Sequence, residues 1–543
     1  MNSATDNRLQ RVELIVAVAL SAVLVALHLI LLFHAGPLWR DEISSLSLAT
    51  KPTLGEAWAT LAYDPFPVLF FWILRVWHFF LGDSDFALRT LGTCIGISCI
   101  AAFWITARLT GKRTPTLSLV LLGFSPIMII WGDSLRAYGL GVFWIVIAFG
   151  CFWRVIERPN FWTIAATTAA AILSVQSLLT NALLIFACGS AAAFVAARRR
   201  QWKRGALALG IGGVAALSLI PYVSTVQATK EWAELRSFPL PLTVFWSAFR
   251  DALSGAGRPG FWLWVILSFA AVLAALWFQR RSTDSNALTV RRDINCYALI
   301  SGVVGLAATL IFFRTLGWPT NVWYYLPAMA ALAVSIDLLL GSASFGRQAS
   351  LCRPVVATGF VLLSFTHLST SLQTRASNPD LVAQSIERQA GPNDLIVLHP
   401  FTDAITLQRY LHRPIKWMTI PNIADVTLHR WDQVVEQARQ PEAIQPVVDE
   451  IHRCLREGHN VWLVSTFPLQ TSTERPAAVV PLAPSEKRYL GHFLHGWGRI
   501  VVYELQQEAT RTYAVSIPSD QPISPYEQAR VFMFSGSKNS DPR

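Results

Sequence analysis

Eleven apolar runs occupy most of the first 371 residues. They lie near 12–34, 87–108, 115–131, 138–155, 161–176, 181–197, 205–225, 260–279, 294–313, 323–341 and 354–371. Each reads as a span of the roughly 30 Å hydrocarbon core of a bilayer. Few folds are open to such a chain. Lipid offers no partner to a backbone amide, so every run must satisfy its own hydrogen bonds, and a bundle of helices is the expected outcome. Composition agrees. With 53% hydrophobic and 15% charged residues, against about 25% charged in a soluble domain, the chain is no disulfide scaffold, disordered tail or ordinary cytosolic enzyme. The first run is too long for a signal-peptide core and is followed by Pro37-Leu38-Trp39-Arg40 instead of a small-residue cleavage site, so it reads as a retained span. Seven cysteines without framework spacing predict no disulfide. The absence of CxxC and HExxH argues against a structural zinc site.

Charge orients the bundle. The chain carries a net +11, yet from residue 372 onward 17 Lys and Arg face 18 Asp and Glu, so the whole surplus sits in the membrane part. That pattern predicts basic loops held on the cytoplasmic side, and not a nucleic-acid surface. With the N-terminus inside, the loops Gly111-Lys112-Arg113, 198–204 and 280–292 all fall on the cytoplasmic face. Counting the apolar segment 66–81 as a further span would reverse the first of them. It is therefore expected to lie on the outer surface, with Trp72, Arg75, Trp77 and His78 at headgroup level. Two long outer loops result, 35–86 and 226–259, the second containing Trp232, Phe238-Pro239-Leu240-Pro241 and Trp246. The expected domains are a transmembrane domain over 1–371 and a soluble α/β domain over 372–508. The Ser-, Pro- and Gln-rich stretch 509–543 is expected to be mobile. Strands are expected at Leu395-Ile396-Val397-Leu398, Val461-Trp462-Leu463-Val464 and Ile500-Val501-Val502-Tyr503, with helices at 404–411 and 447–458. An odd number of spans puts this tail on the outer face.

Two polar clusters stand on that face. In Trp39-Arg40-Asp41-Glu42, adjacent carboxylates follow the first span directly. An acid against a low-dielectric surface is disfavoured as an ion, which raises its basicity, and such a group serves as a general base toward a hydroxyl. The alternative is that Asp41 and Glu42 cap the helix that follows. In Trp131-Gly132-Asp133-Ser134-Leu135-Arg136-Ala137-Tyr138, Asp133 is a second candidate carboxylate. Arg136 offers a planar fork suited to phosphate, unless it snorkels beside a belt tyrosine, Tyr138. Weaker candidates are Asp64 before Pro65, Arg89 at the entry to the second span, and Arg314, Tyr324 and Tyr325 around the tenth. Asp41 and Asp133 are also the residues open to a divalent metal cation. His34, His367, His399, His492 and His495 read as structural.

The order Trp39-Arg40-Asp41-Glu42, Pro65-Phe66-Pro67, Gly82-Asp83-Ser84-Asp85-Phe86-Ala87-Leu88-Arg89, a basic turn, then Arg136-Ala137-Tyr138-Gly139-Leu140 resembles bacterial GT-C glycosyltransferases. It is most similar to the family-39 relatives of protein O-mannosyltransferases and lipid A aminoarabinose transferases. Tyr324-Tyr325-Leu326-Pro327 is similar to that family's Arg-Tyr-Leu-Leu-Pro signature, and the resemblance covers most of the chain. It implies a multi-pass inner-membrane enzyme with a periplasmic C-terminal domain. A polyprenyl-phosphate-linked sugar would be the donor, and a periplasmic glycolipid, polysaccharide or protein the acceptor. Asp41, or the Asp41/Glu42 pair, would be the catalytic carboxylate, and Arg136 would sit near the donor phosphate. The chain departs from the family in having Asp64-Pro65-Phe66-Pro67 in place of His-Pro-Pro. It also has Ser134 where many relatives have a glutamate, with Asp133 beside it. A flippase of lipid-linked sugars and a membrane scaffold with a partner-binding tail are the rival readings. The first predicts midplane charges and inverted repeats, and the sequence shows few charges inside the runs and no repeat.

Overall fold

The computed structural model describes residues 3–538 except 112–113, 238–240, 256, 281–285, 318, 343–346, 469–473 and 485. The basic turn at Lys112 and Arg113, the Phe238-Pro239-Leu240 stretch, Arg281 and Trp318 lie outside the described residues. Two compact units emerge. One comprises residues 1–33, 66–224 and 239–372, and the other 34–65, 225–238 and 373–543.

The first unit is helical. Among the described residues nine helices are long and apolar enough to cross a membrane: Arg8–His34, Asp85–Leu109, Tyr138–Glu157, Asn181–Arg198, Trp202–Lys230, Gly257–Trp277, Thr289–Leu316, Val322–Gly341 and Cys352–Leu372. The chain is a multi-pass membrane protein. Two of the eleven expected spans take other forms. Residues 161–176 form the 17-residue helix Phe161–Ser177, about 25 Å long at 1.5 Å per residue. Residues 115–131 break into an α turn at Thr116–Ser118, a π-helical stretch at Leu119–Gly123 and the helix Pro126–Gly132. Pro126 has no N–H to continue a helical ladder, so the break falls just before it. The opening turn of this broken segment is capped from afar. Asp337 Oδ2 accepts the Ser118 amide at 3.1 Å and the Ser118 hydroxyl at 3.0 Å, which meets the donors a helix start leaves unpaired. Arg353 joins Asp337 to Glu13, and Glu13 accepts from Thr114 and Thr116. Val68–Leu81 is a 14-residue helix, about 21 Å long, too short to cross alone. Its Trp72, Val76, Phe79 and Phe80 are exposed.

The second unit holds a five-stranded sheet in the order β2-β1-β3-β5-β4. The strands are β1 (Leu395–His399), β2 (Lys416–Thr419), β3 (Val461–Ser465), β4 (Ala509–Val515) and β5 (Arg530–Ser537). β1 pairs parallel with β2 and β3; β5 runs antiparallel to β3 and β4. Both β1 and β3 are buried along their whole length, hence their continuous apolar runs. Helices Asp403–Tyr410 and Gln445–Arg456 fall where expected. Three expectations are corrected. Ile500-Val501-Val502-Tyr503 belongs to the helix Leu490–Glu508. In a four-residue apolar run the periods of helix and strand look alike, and packing decides between them. The stretch from 509 is no mobile tail as far as 538, because its two strands complete the sheet. Last, the segment 34–65 belongs to this unit and not to the membrane domain. Its Leu38, Trp39, Ile43 and Leu46 are buried, Leu38 N–H donates to the Tyr410 hydroxyl at 2.8 Å, and Ala376 N–H donates to the Ala35 carbonyl at 2.9 Å.

Candidate active site

The helix Arg40–Ala49 positions the first-loop acids, and it separates their roles. Glu42 is buried and accepts the Trp39 amide at 3.1 Å, closing the helix N-terminus upon itself. Asp41, one position earlier, keeps 23% of its side chain exposed. His429 Nε2 lies 3.3 Å from Asp41 Oδ1, and Arg40 Nε lies 3.6 Å from the same oxygen. Asp64 is buried and accepts from the Ser45 hydroxyl at 3.4 Å, so it braces this helix from the end of the segment.

Behind Asp41 the sheet unit collects further acids that the sequence did not single out. Arg40 Nη2 pairs with Glu527 at 3.1 Å and its guanidinium lies over the Tyr526 ring. Burial works against the Arg40 charge, but Glu527 and Asp41 outweigh it and hold the group protonated. Burial pushes Glu527 up to about 8; Arg40 opposes this, while Asp41, Asp403 and Glu42 add to it. Burial likewise pushes Asp403 up to about 7, against bonds from the Thr466 amide at 2.8 Å and hydroxyl at 3.0 Å and the charge of Arg40. Asp403 and Glu527 line a small crevice with Asn378, Thr406 and Thr466, with accessible room of about 10 Å³. His399 remains structural: burial and then His495 push it down to about 4, and both rings pack on Phe467.

The other candidates lie in the helical unit. Asp133 caps the C-terminus of Pro126–Gly132, and His28 Nδ1 stands 2.8 Å from each of its oxygens. The sequence gives no sign of this pairing, since His28 lies within the first apolar run. Gly92 and Gly96 make room for it. A Cβ at Gly96 would fall 1.8 Å from Asp133 Oδ1, and one at Gly92 1.8 Å from the Asp133 carbonyl oxygen. Arg89, buried one turn earlier on the same helix, acts electrostatically on Asp133.

Three positions on from Asp133, Arg136 is buried with its guanidinium 4.4 Å from the Phe66 ring centroid, a cation–π contact. Phe66 meets Tyr138 edge-on at 5.5 Å, and Tyr138 packs on Tyr324 at 6.1 Å. Trp131 stacks on Trp323 at 3.9 Å. Tyr325 is fully buried, bonded to Thr320 at 2.7 Å and packed on Phe249 and Phe313. The fold thus joins Arg136, Tyr138 and Tyr324 into one aromatic-walled cationic site, from segments that the sequence keeps far apart. Arg314 is exposed, one residue after the Phe313 that packs on Tyr324. Among the described residues no three His, Cys, Asp or Glu side chains come together to hold a metal ion.

No family model matches the chain, and no curated protein matches it by sequence. Solved structures do. ArnT from Cupriavidus metallidurans bound to undecaprenyl phosphate is similar with a TM-score of 0.52 at 15% identity, over 97% of this chain and 99% of that one. The same protein in the apo state gives 0.50 at 15% identity, over 82% and 92%. The Archaeoglobus fulgidus oligosaccharyltransferase in the apo form gives 0.47 at 12% identity, over 93% and 74%. At such identities the likeness is one of fold. The chain has the fold of that ArnT structure, an α-helical membrane protein with a small C-terminal sheet domain.

Proposed function

We propose that this chain is a membrane glycosyltransferase that moves a monosaccharide from a polyprenyl-phosphate donor to a hydroxyl on an envelope glycolipid, polysaccharide or protein. The observation that carries this reading is the end-to-end fold likeness to an ArnT structure that holds undecaprenyl phosphate. The inner membrane is its proposed home, with the N-terminus cytoplasmic and the sheet unit periplasmic. The basic loops favour that orientation. A periplasmic enzyme has no access to cytoplasmic nucleotide sugars, which is why the donor is lipid-linked.

The proposed reaction is one displacement with inversion at the anomeric carbon. Asp41 takes the proton of the acceptor hydroxyl as its oxygen attacks. The bond to the anomeric carbon forms, the bond to the phosphate oxygen breaks, and the electron pair leaves with polyprenyl phosphate. Arg136 stabilises the growing charge on that phosphate, where a buried guanidinium acts more strongly than in water. Tyr138 and Tyr324 flank it. Arg314 and Arg89 are proposed as secondary contacts to lipid phosphate, and Tyr325 and Asp64 as supports. Glu42 and Asp133 hold structure, given their capping and His28 bonds.

The test is reconstitution in phospholipid vesicles with undecaprenyl-phosphoryl [14C]glucose, mannose, galactose or aminoarabinose and an envelope lipid and glycan extract as acceptor. Release of undecaprenyl phosphate with label in the acceptor fraction is expected from one donor. Label carried across the bilayer without transfer would favour the flippase, and no change with any donor would sink both.

A further inference from the structure

We infer that His429 is a positioning residue for Asp41. The inference rests on Asp41 being the base.

The geometry is that of a clip. His429 touches two side chains on one face of the helix Arg40–Ala49: Asp41 through Nε2 at 3.3 Å, and Ser44, three positions on, through Nδ1 at 3.2 Å. Positions three apart on a helix are neighbours, so one imidazole spans them. Ser44 is fully buried and its hydroxyl rotates to suit. With that hydroxyl donating to Nδ1, the ring proton is left for Nε2, which lies within ion-pair distance of the carboxylate. A carboxylate whose Oδ1 is held by the imidazole and by Arg40 has a fixed plane, and this sets the direction from which its other oxygen meets an incoming hydroxyl. His429 and Asp41 are 14% and 23% exposed. The contact is therefore partly shielded, and its electrostatics are stronger than in open water.

The clip has a cost that makes it testable. A hydrogen bond to the charged form of an acid favours that form and lowers its basicity. Removing the imidazole should free the carboxylate to swing and at the same time raise its pKa. The charged and titratable groups facing the pair are Arg40 and Glu42 on its own helix, Glu527, Tyr526 and Asp403 behind it, and Arg430 and Asp432 beside His429. A purely structural histidine would lower stability without moving the pH profile.

The experiment uses the full-length protein in the vesicle assay, with whichever undecaprenyl-phosphoryl sugar the wild type consumes. His429→Ala, His429→Gln, Ser44→Ala and Asp41→Asn are compared. His429→Ala is expected to lower kcat about 10²-fold, the loss that goes with a misplacement of about 1 Å, with the donor KM unchanged. Its acid limb should move to higher pH. His429→Gln, which keeps a donor near Nε2, should restore much of kcat. Wild-type kcat and pH profile in His429→Ala, beside an inactive Asp41→Asn, overturn the role of His429 and leave the base intact. An active Asp41→Asn overturns the base itself. If His429→Ala does not fold, His429→Gln and Ser44→Ala decide: a shifted acid limb in either supports the clip, and wild-type kcat and profile in both overturn it.

Discussion

Each unit sets a candidate aspartate against a histidine. In the helical unit His28 meets both oxygens of Asp133 at 2.8 Å, with the side chains 2% and 4% exposed. In the sheet unit His429 meets one oxygen of Asp41 at 3.3 Å, and both side chains stay partly in contact with solvent. The same two residue types therefore make different devices. A carboxylate engaged through both oxygens and sealed among helices is spent on holding those helices together. One that meets its histidine through Oδ1 at a solvent edge is the acid proposed above as the base. Sequence position alone points to both as catalytic acids, and the two differ in burial.

The contrast breaks most sharply at Asp41. Asp41→Asn is expected to lower the transfer rate by about 10²–10⁴-fold, the worth of a positioned general base, with the melting temperature unchanged. A variant that transfers sugar at the wild-type rate removes Asp41 from the reaction. The counterpart is Asp133→Leu, expected to lose about 3–5 kcal/mol of stability because it strands one half of a buried pair. Denaturant titration in detergent reads this loss. The double variant with His28→Leu should recover part of it, and a double variant no more stable than the single would mean that the pair holds little. Arg136→Ala sharpens the comparison from the side of the leaving group. Losing a charge-assisted bond of about 1.5–3 kcal/mol should lower kcat/KM by about 10–10²-fold, most of it in kcat if the arginine acts on developing charge. The smallest effect concerns Glu527. Its pKa is about 8 in the folded chain against an ordinary 4.5, so the folded state holds its proton more tightly than the unfolded one. Stability from this group is complete below about 4.5 and declines as pH rises through about 8. Glu527→Gln should flatten the fall in melting temperature between pH 5 and 8 by at least ~2–4 °C, the shift that 1 kcal/mol makes in a domain of this size. Identical slopes in the two proteins would refute that assignment.

Much of the fold is legible in the residues. Nine of eleven expected spans, the short helix at Val68–Leu81, and the β1 and β3 strands follow from apolar runs whose length and period are local properties. The failures share a cause. Residues 500–503 and the strands after 509 depend on which neighbours cover them, and local period does not encode neighbours. The candidate site divides in the same way. Asp41, Arg136, Tyr138 and Tyr324 are visible as polar or aromatic residues at the ends of apolar runs. His28, inside a run, and His429, in the distant sheet unit, carry no local signal.

By itself the order of residues determined that this chain must cross a membrane many times, that a soluble domain follows, and which acids and arginines flank the spans. Those are consequences of transfer free energy summed along contiguous segments. Only the tertiary structure decided which acids are consumed as struts and which stays open to solvent. His28 and Asp133 are 105 positions apart, and Ser44 and His429 are 385 apart. Side chains so far apart along the chain meet only through the packing of whole helices and sheets, and it is that packing which sets how much water each carboxylate keeps.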